Sequence, residues 1–415
     1  MTVTVLVAPS GFKECLSVKE VTEAIAKGVA LALPDAVILR APLVDGGEGT
    51  VEVLVDSTGG EIHRCRVTGP MGQPIDSHFG ILGGDRPRTA VIEIAAAAGL
   101  SLVPRDSRDP SKTTSYGVGE LIVAALDLGV ERILIGCGDS GVNDAGAGMV
   151  QALGARLLDR EGNELGFGGG ELIKLERIDV SNLHPKLRNV QIDAAVNWHN
   201  ILLGKRGVAR VFGPQKGATA AQVIDLEAAL ENMAARIKAD VGIDVAGSPG
   251  TGASGGLGAA VLGILGGRLH SRYDILMHYL DFEKLLAKAD LVVTAEGMLD
   301  GQTPFGKIPA EVGRRACDKG IPTIVLAGAI GRGFEANFLL GINAIASAVT
   351  RPCTLDEAME GAYAHLMRAA EDAARMIRVG IVVGARQAEQ RRRGAKYLVH
   401  TPFICREKSA ALPGC

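Results

Sequence analysis

The sequence predicts an α/β protein: a Rossmann-like parallel-sheet domain made from both ends of the chain, with a second α/β domain containing an antiparallel or mixed sheet inserted between them. Three observations carry this. β-branched and aliphatic runs alternate with loops and helical patterns at both ends, the rhythm of β-loop-α units on a parallel sheet. The region 61–98 instead reads as short strands (EIHRCRVTG, HFGILGG, TAVIEIA) broken by GPMGQP and GGDRP turn signals, with no room for crossover helices. Glycine is abundant, 55 of 415 residues, without a period, as suits an enzyme with many tight strand-to-helix turns.

Taken in order, Thr2–Val7 is a strand, followed by a loop containing Pro9 and Gly11 and a helix from Ser17 to about Leu33, with Ser17 and Glu20 as a capping pair. Ala36–Leu43 is a buried strand, the segment after it holds Asp45 and Glu48, and a helix ends near Gly59. Beyond the antiparallel segment come a helix over Ser115–Asp127, the strand ERILIG, and the turn CGDSGVNDAGAG running into another helix. VQIDAAV is a strand ending at Asn197, and a helix spans about Ala221–Lys238, with Thr219 suited to cap it. The cluster GSPGTGASGGLG precedes a helix of small residues. From Ala289 the βα rhythm returns: ADLVVTAEG, a helix over Pro309–Lys319, PTIVLAGAI, GINAIASAV, and a helix from Leu355 to about Met376. The expected domains are 1–60 plus 277–380, and 61–276. A solvated disordered tail is expected over 386–415, with the run Arg391–Arg393 inside it.

Composition narrows the function. Apolar residues at 47% and charged residues at 22% are ordinary globular usage, and a net charge of −3 argues against nucleic-acid binding by bulk electrostatics. Seven cysteines at irregular spacings, with no Cys-x-x-Cys pair, suggest neither a disulfide framework nor a zinc site of that type. Met1–Glu14 lacks the pattern of a signal peptide, and no apolar run of about 18 residues occurs, so a cytoplasmic location without a membrane partner is expected.

The motifs favour phosphate and metal chemistry. Gly136–Gly141 follows a strand and opens a helix, and Gly138, Ser140 and Asn143 can bring backbone and side-chain donors to an anion. With Asp159 about 20 residues on, the same segment matches a dinucleotide-binding fingerprint, which keeps a dehydrogenase open. Asp45-Gly46-Gly47-Glu48-Gly49 puts two carboxylates on a turn beyond a strand end, and Glu296-Gly297-x-x-Asp300-Gly301, with Lys307 close behind, repeats the arrangement. Such carboxylates can hold Mg²⁺ or act as a base, or serve simply as helix caps. Lys13 and Lys216 are cations within reach of phosphate oxygens, and Gly255, Gly256 and Gly258 offer backbone donors without side-chain bulk. No Walker GxxxxGK[ST], protein-kinase HRD or DFG set, or GxSxG elbow is present.

With these segments in hand, the chain resembles the bacterial glycerate kinase family of the type 1 class over about residues 3–377. The likeness rests on Ala8-Pro9, Phe12-Lys13-Glu14, Asp45 through Thr50, Thr68-Gly69-Pro70, Thr113 through Gly117, Asn143-Asp144, Gln151 through Ala155, Val211 through Thr219, Gly255 through Gly258, Glu296-Gly297 and Asp300-Gly301-Gln302. It implies an ATP- and Mg²⁺-dependent kinase placing phosphate on D-glycerate, most naturally on the 2-hydroxyl. On that reading Lys13, Asp45, Asp144, Asn197 and Glu296 are catalytic, and Glu48 and Asp300 hold metal. Gly138, Ser140, Asn143, Lys216, Gly255, Gly256 and Gly258 bind the nucleotide, and a homodimer is left open. The chain departs from the family pattern in three places. Ser10 and Gly11 replace an acid and a hydroxyl, the Gly138–Gly146 run is altered with an acid at Asp139, and Asn197 stands where the family has an acid, followed by the sole tryptophan, Trp198. An amide can orient a hydroxyl but cannot act as a carboxylate base. A related hydroxy acid as acceptor, or a non-catalytic ligand sensor, therefore stays open.

Overall fold

The computed structural model describes residues 2–84 and 87–392, and the chain divides into two compact units, Met1–Leu43 with Asp281–Cys415, and Val44–Leu280. The first unit is built on a fully parallel five-stranded sheet in the order Ile342–Ser347, Thr323–Ile330, Leu291–Leu299, Thr4–Val7, Val37–Arg40. Numbered along the chain within this unit, that order is the doubly wound 2-1-3-4-5, whose switch point falls between Thr4–Val7 and Leu291–Leu299. Helices cover both faces because successive strand residues alternate. Val5, Val7, Val293 and Leu326 pack with the helices Val18–Ala32 and Ala362–Arg392, while Leu299, Val325, Ala327 and Ile342 form a smaller cluster of their own. The Ser17–Glu20 capping box closes the first helix as its sequence predicts.

The second unit carries a mixed six-stranded sheet in the order Arg268–Ser271, Gln191–Val196, Arg132–Gly136, Thr89–Glu93, Pro74–Ile81, Glu61–Thr68. The first four strands run parallel, and the last two form the antiparallel hairpin expected from the turn signals. The helix Ala220–Arg236 is capped by a reciprocal Thr219–Gln222 box.

Several expectations change. The strands of the two leading β-loop-α units, Thr4–Val7 and Val37–Arg40, pair in parallel as expected, but the helix Thr50–Thr58 packs on the hairpin strand Pro74–Ile81 of the second unit. The division therefore falls at Val44 rather than near residue 60. The cause is an apolar helix face, Val51, Leu54 and Val55, whose burial contributes about 1.5–3 kcal/mol per side chain wherever a matching surface exists. The strand Arg156–Leu158 joins no main sheet; it pairs with Arg177–Asp179 in a separate ribbon, and Asp159 accepts the Asn163 N–H in a local turn. That removes the acid of the dinucleotide fingerprint. The last helical stretch is two helices, Leu355–Glu360 and Ala362–Arg392, meeting at Gly361. The second runs through residues 386–392, assigned to a tail by sequence, and the rest of that tail, including Arg393, lies outside the described residues. Among the described residues no helix is long and apolar enough to cross a membrane.

The closest helix contact in the first unit is at Gly28, where a Cβ would come within 2.1 Å of the Met367 carbonyl and 2.7 Å of Ala370 Cβ. Because backbone must move, Gly28→Val is expected to destabilise the protein by about 3 kcal/mol or more in denaturant unfolding. Gly380→Ala, with open space around it on the same long helix, should leave stability unchanged or raise it by about 0.5–1 kcal/mol.

Candidate active site

In the first unit the predicted residues gather at the carboxyl ends of the strands flanking the switch point. The loop after Thr4–Val7 is fastened to the neighbouring strand: the Ser10 N–H and hydroxyl both donate to the Ala295 carbonyl, at 3.0 and 2.8 Å. Phe12 and Leu16 then bridge across a tight turn that projects Lys13 outward, with Glu14 in the left-handed region at φ 60°. Phe12 is buried beside Gly297 and Gly328, which have no side chains to block it.

One residue past Ala295 sits Glu296. Its Oε2 accepts the Thr303 hydroxyl at 3.0 Å, and its Oε1 lies 3.2 Å from Lys307 Nζ. Lys307 also reaches Asp300 Oδ1 at 3.4 Å. Burial pushes the Glu296 carboxyl up despite Lys307, whereas Asp300, with burial pushing the same way, is held down by the Gln302 N–H and Lys307. This is a pair of carboxylates bridged by one ammonium.

In the second unit four loops converge at the carboxyl ends of parallel strands. The Asp45–Gly49 loop lies backbone-to-backbone on the turn after Arg132–Gly136. A Cβ on Gly138 would meet Gly47 N at 2.5 Å, and one on Gly136 would meet Gly46 O at 2.7 Å. Asp139, itself left-handed at φ 48°, accepts the Glu48 N–H at 3.2 Å, and its carboxylate fills the space where a Gly47 side chain would stand. Asp45 accepts the Gly47 N–H and faces Arg272, whose guanidinium stacks over Tyr273. Glu48 is exposed and accepts the Ser101 hydroxyl. Asn197 ends the strand Gln191–Val196, and its side-chain oxygen accepts the His199 N–H at 3.0 Å. The same loop meets the glycine cluster through Gly252 N–H to Asn200 O at 3.1 Å.

Deeper in this unit the polar residues divide into satisfied and unsatisfied. Asp144 has no exposed surface and accepts hydrogen bonds from the Ser115 N–H and hydroxyl and the Gly146 and Gly148 N–H groups. Asp144, expected to be catalytic, holds the turn into the helix Ala147–Ala152 through these bonds. Lys216, expected within reach of phosphate oxygens, is buried. Its ammonium donates to Ser140 Oγ at 3.0 Å and Val142 O at 2.6 Å, and burial pulls its pKa down to about 7 against the attraction of Asp144. Asn143 is fully buried, yet neither atom of its amide has a hydrogen-bond partner. Ser254, Gly255 and Gly256 follow one another in the left-handed region, with the Ser254 hydroxyl beside the buried Cys137 thiol. Gly255 and Gly258 are glycine because chain crosses chain: their Cβ atoms would lie 2.0 Å from Val142 O and 2.3 Å from Gly250 O. Of the five left-handed non-glycine residues among those described, Glu14, Asp139, Ala145 and Ser254 all lie in these two loop clusters. Backbone strain of this kind concentrates where a site must hold an unfavourable shape.

A profile of the glycerate kinase family matches residues 5–378. The chain belongs to the glycerate kinase family. It is 46% identical over 375 residues to a glycerate kinase of Bacillus subtilis (strain 168), an alignment covering 90% of this chain and 98% of that protein. It is 44% identical to the glycerate 2-kinase of Escherichia coli (strain K12), covering 91% and 98%. A solved structure from Salmonella typhimurium LT2, assigned as a glycerate kinase 2, matches with a TM-score of 0.79 at 43% identity over 91% of this chain and 99% of that one.

Within this kinase family, the departures seen in sequence acquire places. Ser10 spends its hydroxyl on Ala295, Asp139 supports the Asp45–Gly49 loop, and Trp198 stands 42% exposed beside Asn197. Sequence reasoning missed Arg272, Thr303 and Ser101, whose partners are 227, 7 and 53 residues away, and no local motif marks them.

The buried ammonium of Lys216 makes a pH prediction. Its folded pKa lies below the unfolded one, so the unfolded chain binds the extra proton between pH about 7 and the ordinary lysine value, and stability rises with pH across that window. Relative to Lys216→Met, wild-type unfolding free energy should therefore increase from pH 7 to 10. A constant difference across that range would remove the buried titration.

Proposed function

We propose that the chain transfers the γ-phosphoryl group of ATP, with Mg²⁺, to the 2-hydroxyl of D-glycerate, giving 2-phosphoglycerate and ADP. What carries the reading is coverage: the family match spans every loop of both clusters, including Lys13, Asp45–Gly49, Asn143, Gly252–Gly258 and Glu296–Asp300. The residues also suit the reagents. Asp45, Glu48, Glu296 and Asp300 offer hard oxygen donors appropriate to Mg²⁺, and the metal, when bound, supplies charge neutralisation at phosphate oxygens. The buried amide of Asn143 lacks a hydrogen-bond partner and the left-handed Ser254–Gly256 backbone lies against it, features that suit a phosphate-binding wall.

In the first unit, Lys13 presents a point charge from a turn fixed by Phe12, suited to phosphate oxygens that gain charge during transfer. Lys307 keeps Glu296 and Asp300 from repelling one another until a cation replaces it. In the second unit, Lys216 and Asp144 act from the interior by holding Ser140, Val142 and the glycine turns in place. Asn197 orients the acceptor hydroxyl. An amide suffices there because phosphoryl transfer runs through a loose transition state in which the hydroxyl proton need not leave early.

ATP, Mg²⁺ and D-glycerate should yield 2-phosphoglycerate by ³¹P NMR. Lys13→Ala, Asp45→Asn and Glu296→Gln should each lower kcat by about 10²–10³ or more while circular dichroism stays unchanged. Near-normal turnover in the Asp45 and Glu296 variants would overturn these roles. A 3-phosphoglycerate signal would overturn the regiochemistry, and turnover only with another hydroxy acid would overturn the acceptor.

A further inference from the structure

A second cluster of ligating side chains lies outside both groups of loops. The helix Thr50–Thr58 sits so closely on the hairpin strand Pro74–Ile81 that a Cβ at Gly80 would fall 2.4 Å from Val55 Cγ2 and 3.1 Å from Val51 Cγ1. Side chains on one face of a strand recur every second residue. His78, two residues before Gly80, therefore points to the helix-covered face, as does Glu93, two residues beyond Val91, the cross-strand partner of Gly80. Glu52 overhangs the same spot from the helix. One ligand atom from each of Glu52, His78 and Glu93 falls within 4.8 Å of the others.

We propose that Glu52, His78 and Glu93 bind a divalent transition-metal ion of the zinc class. The set is one imidazole nitrogen and two carboxylates, a donor mixture that favours zinc-like ions over Mg²⁺ or Ca²⁺, and three protein ligands leave a coordination position for water.

Two observations beside this convergence favour a cation there. His78 Nε2 is buried and paired with Glu52 Oε1 at 3.1 Å, so these two ligand atoms already face one another. Glu93 is only 3% exposed; one oxygen accepts the Val51 N–H at 3.1 Å, and no lysine or arginine is paired with the carboxylate among the described ion pairs. Arg64, opposite His78 on the outer hairpin strand, is exposed and leaves the cluster with net acidic character. The helix that would be clamped begins directly after the Asp45–Gly49 loop, so occupancy would tie that loop's trailing end to the sheet. The proposal stands apart from the phosphoryl-transfer reading and does not depend on it.

The full-length protein, stripped with chelator, is titrated with Zn²⁺ by calorimetry and with Co²⁺ by visible absorption. One saturable equivalent and a rise in Tm are expected, with His78→Gln and Glu52→Gln each weakening that event at least about tenfold. Glu52 has a half-exposed side chain, so its variant tests the site even if the His78 change impairs folding. His63→Gln, which removes the other histidine–glutamate pair of the hairpin, should leave binding unchanged. The absence of saturable binding, or equal binding in Glu52→Gln and the wild type, would overturn the proposal and leave an ordinary His78–Glu52 ion pair.

Discussion

Where the Asp45–Gly49 loop crosses the Gly136–Asp139 turn, backbone meets backbone with no space for a methyl group. That crossing orders the Asp45–Gly49 loop against the turn that follows Arg132–Gly136. It brings a loop that leaves one sheet against the strand ends of another and lets Asp139 accept the Glu48 N–H. It also fixes where the carboxylates of Asp45 and Glu48 project. Glycines here are therefore scaffold first, and their contribution to ligand binding comes from the shape they permit.

The same division of labour runs inward. Asp144 and Lys216 are the ionisable groups most deeply buried in this cluster, and each spends its polar atoms on neighbouring chain. Removing one partner of such an arrangement costs more than the pair contributes, because the other is left buried and unpaired. The interior is thereby locked into one geometry. The Asn143 amide, left without a partner, belongs to the same framework. In a protein interior an unsatisfied polar atom calls for a cause, and a ligand with complementary oxygens is one.

The first unit reaches its arrangement differently. Its doubly wound order creates a switch point, and the loops leaving the two central strands are joined there by Ser10 and Phe12. Glu296 and Asp300 are bridged by a single lysine, with the Thr303 hydroxyl donating to Glu296 and the Gln302 and Thr303 N–H groups to Asp300. A cation of higher charge can replace such a lysine by moving one flexible side chain, whereas the carboxylate of Asp144 could be released only by unravelling a helix start.

The sequence by itself determined the fold class, the capping boxes at Ser17 and Thr219, the hairpin after residue 60, and the loops bearing Lys13, Asp45 and Glu296. Each is written in local signals: periodicity, turn residues and caps. Tertiary structure alone decided that the helix Thr50–Thr58 joins the second unit, that Lys216 and Asp144 are interior struts, and that Arg156–Leu158 leaves the main sheet. It also decided that Glu52, His78 and Glu93 meet. The physical reason is range. A side chain's burial and its partner depend on which surfaces pack across tens or hundreds of residues, and a linear pattern shows that a helix face is apolar without showing which sheet will cover it.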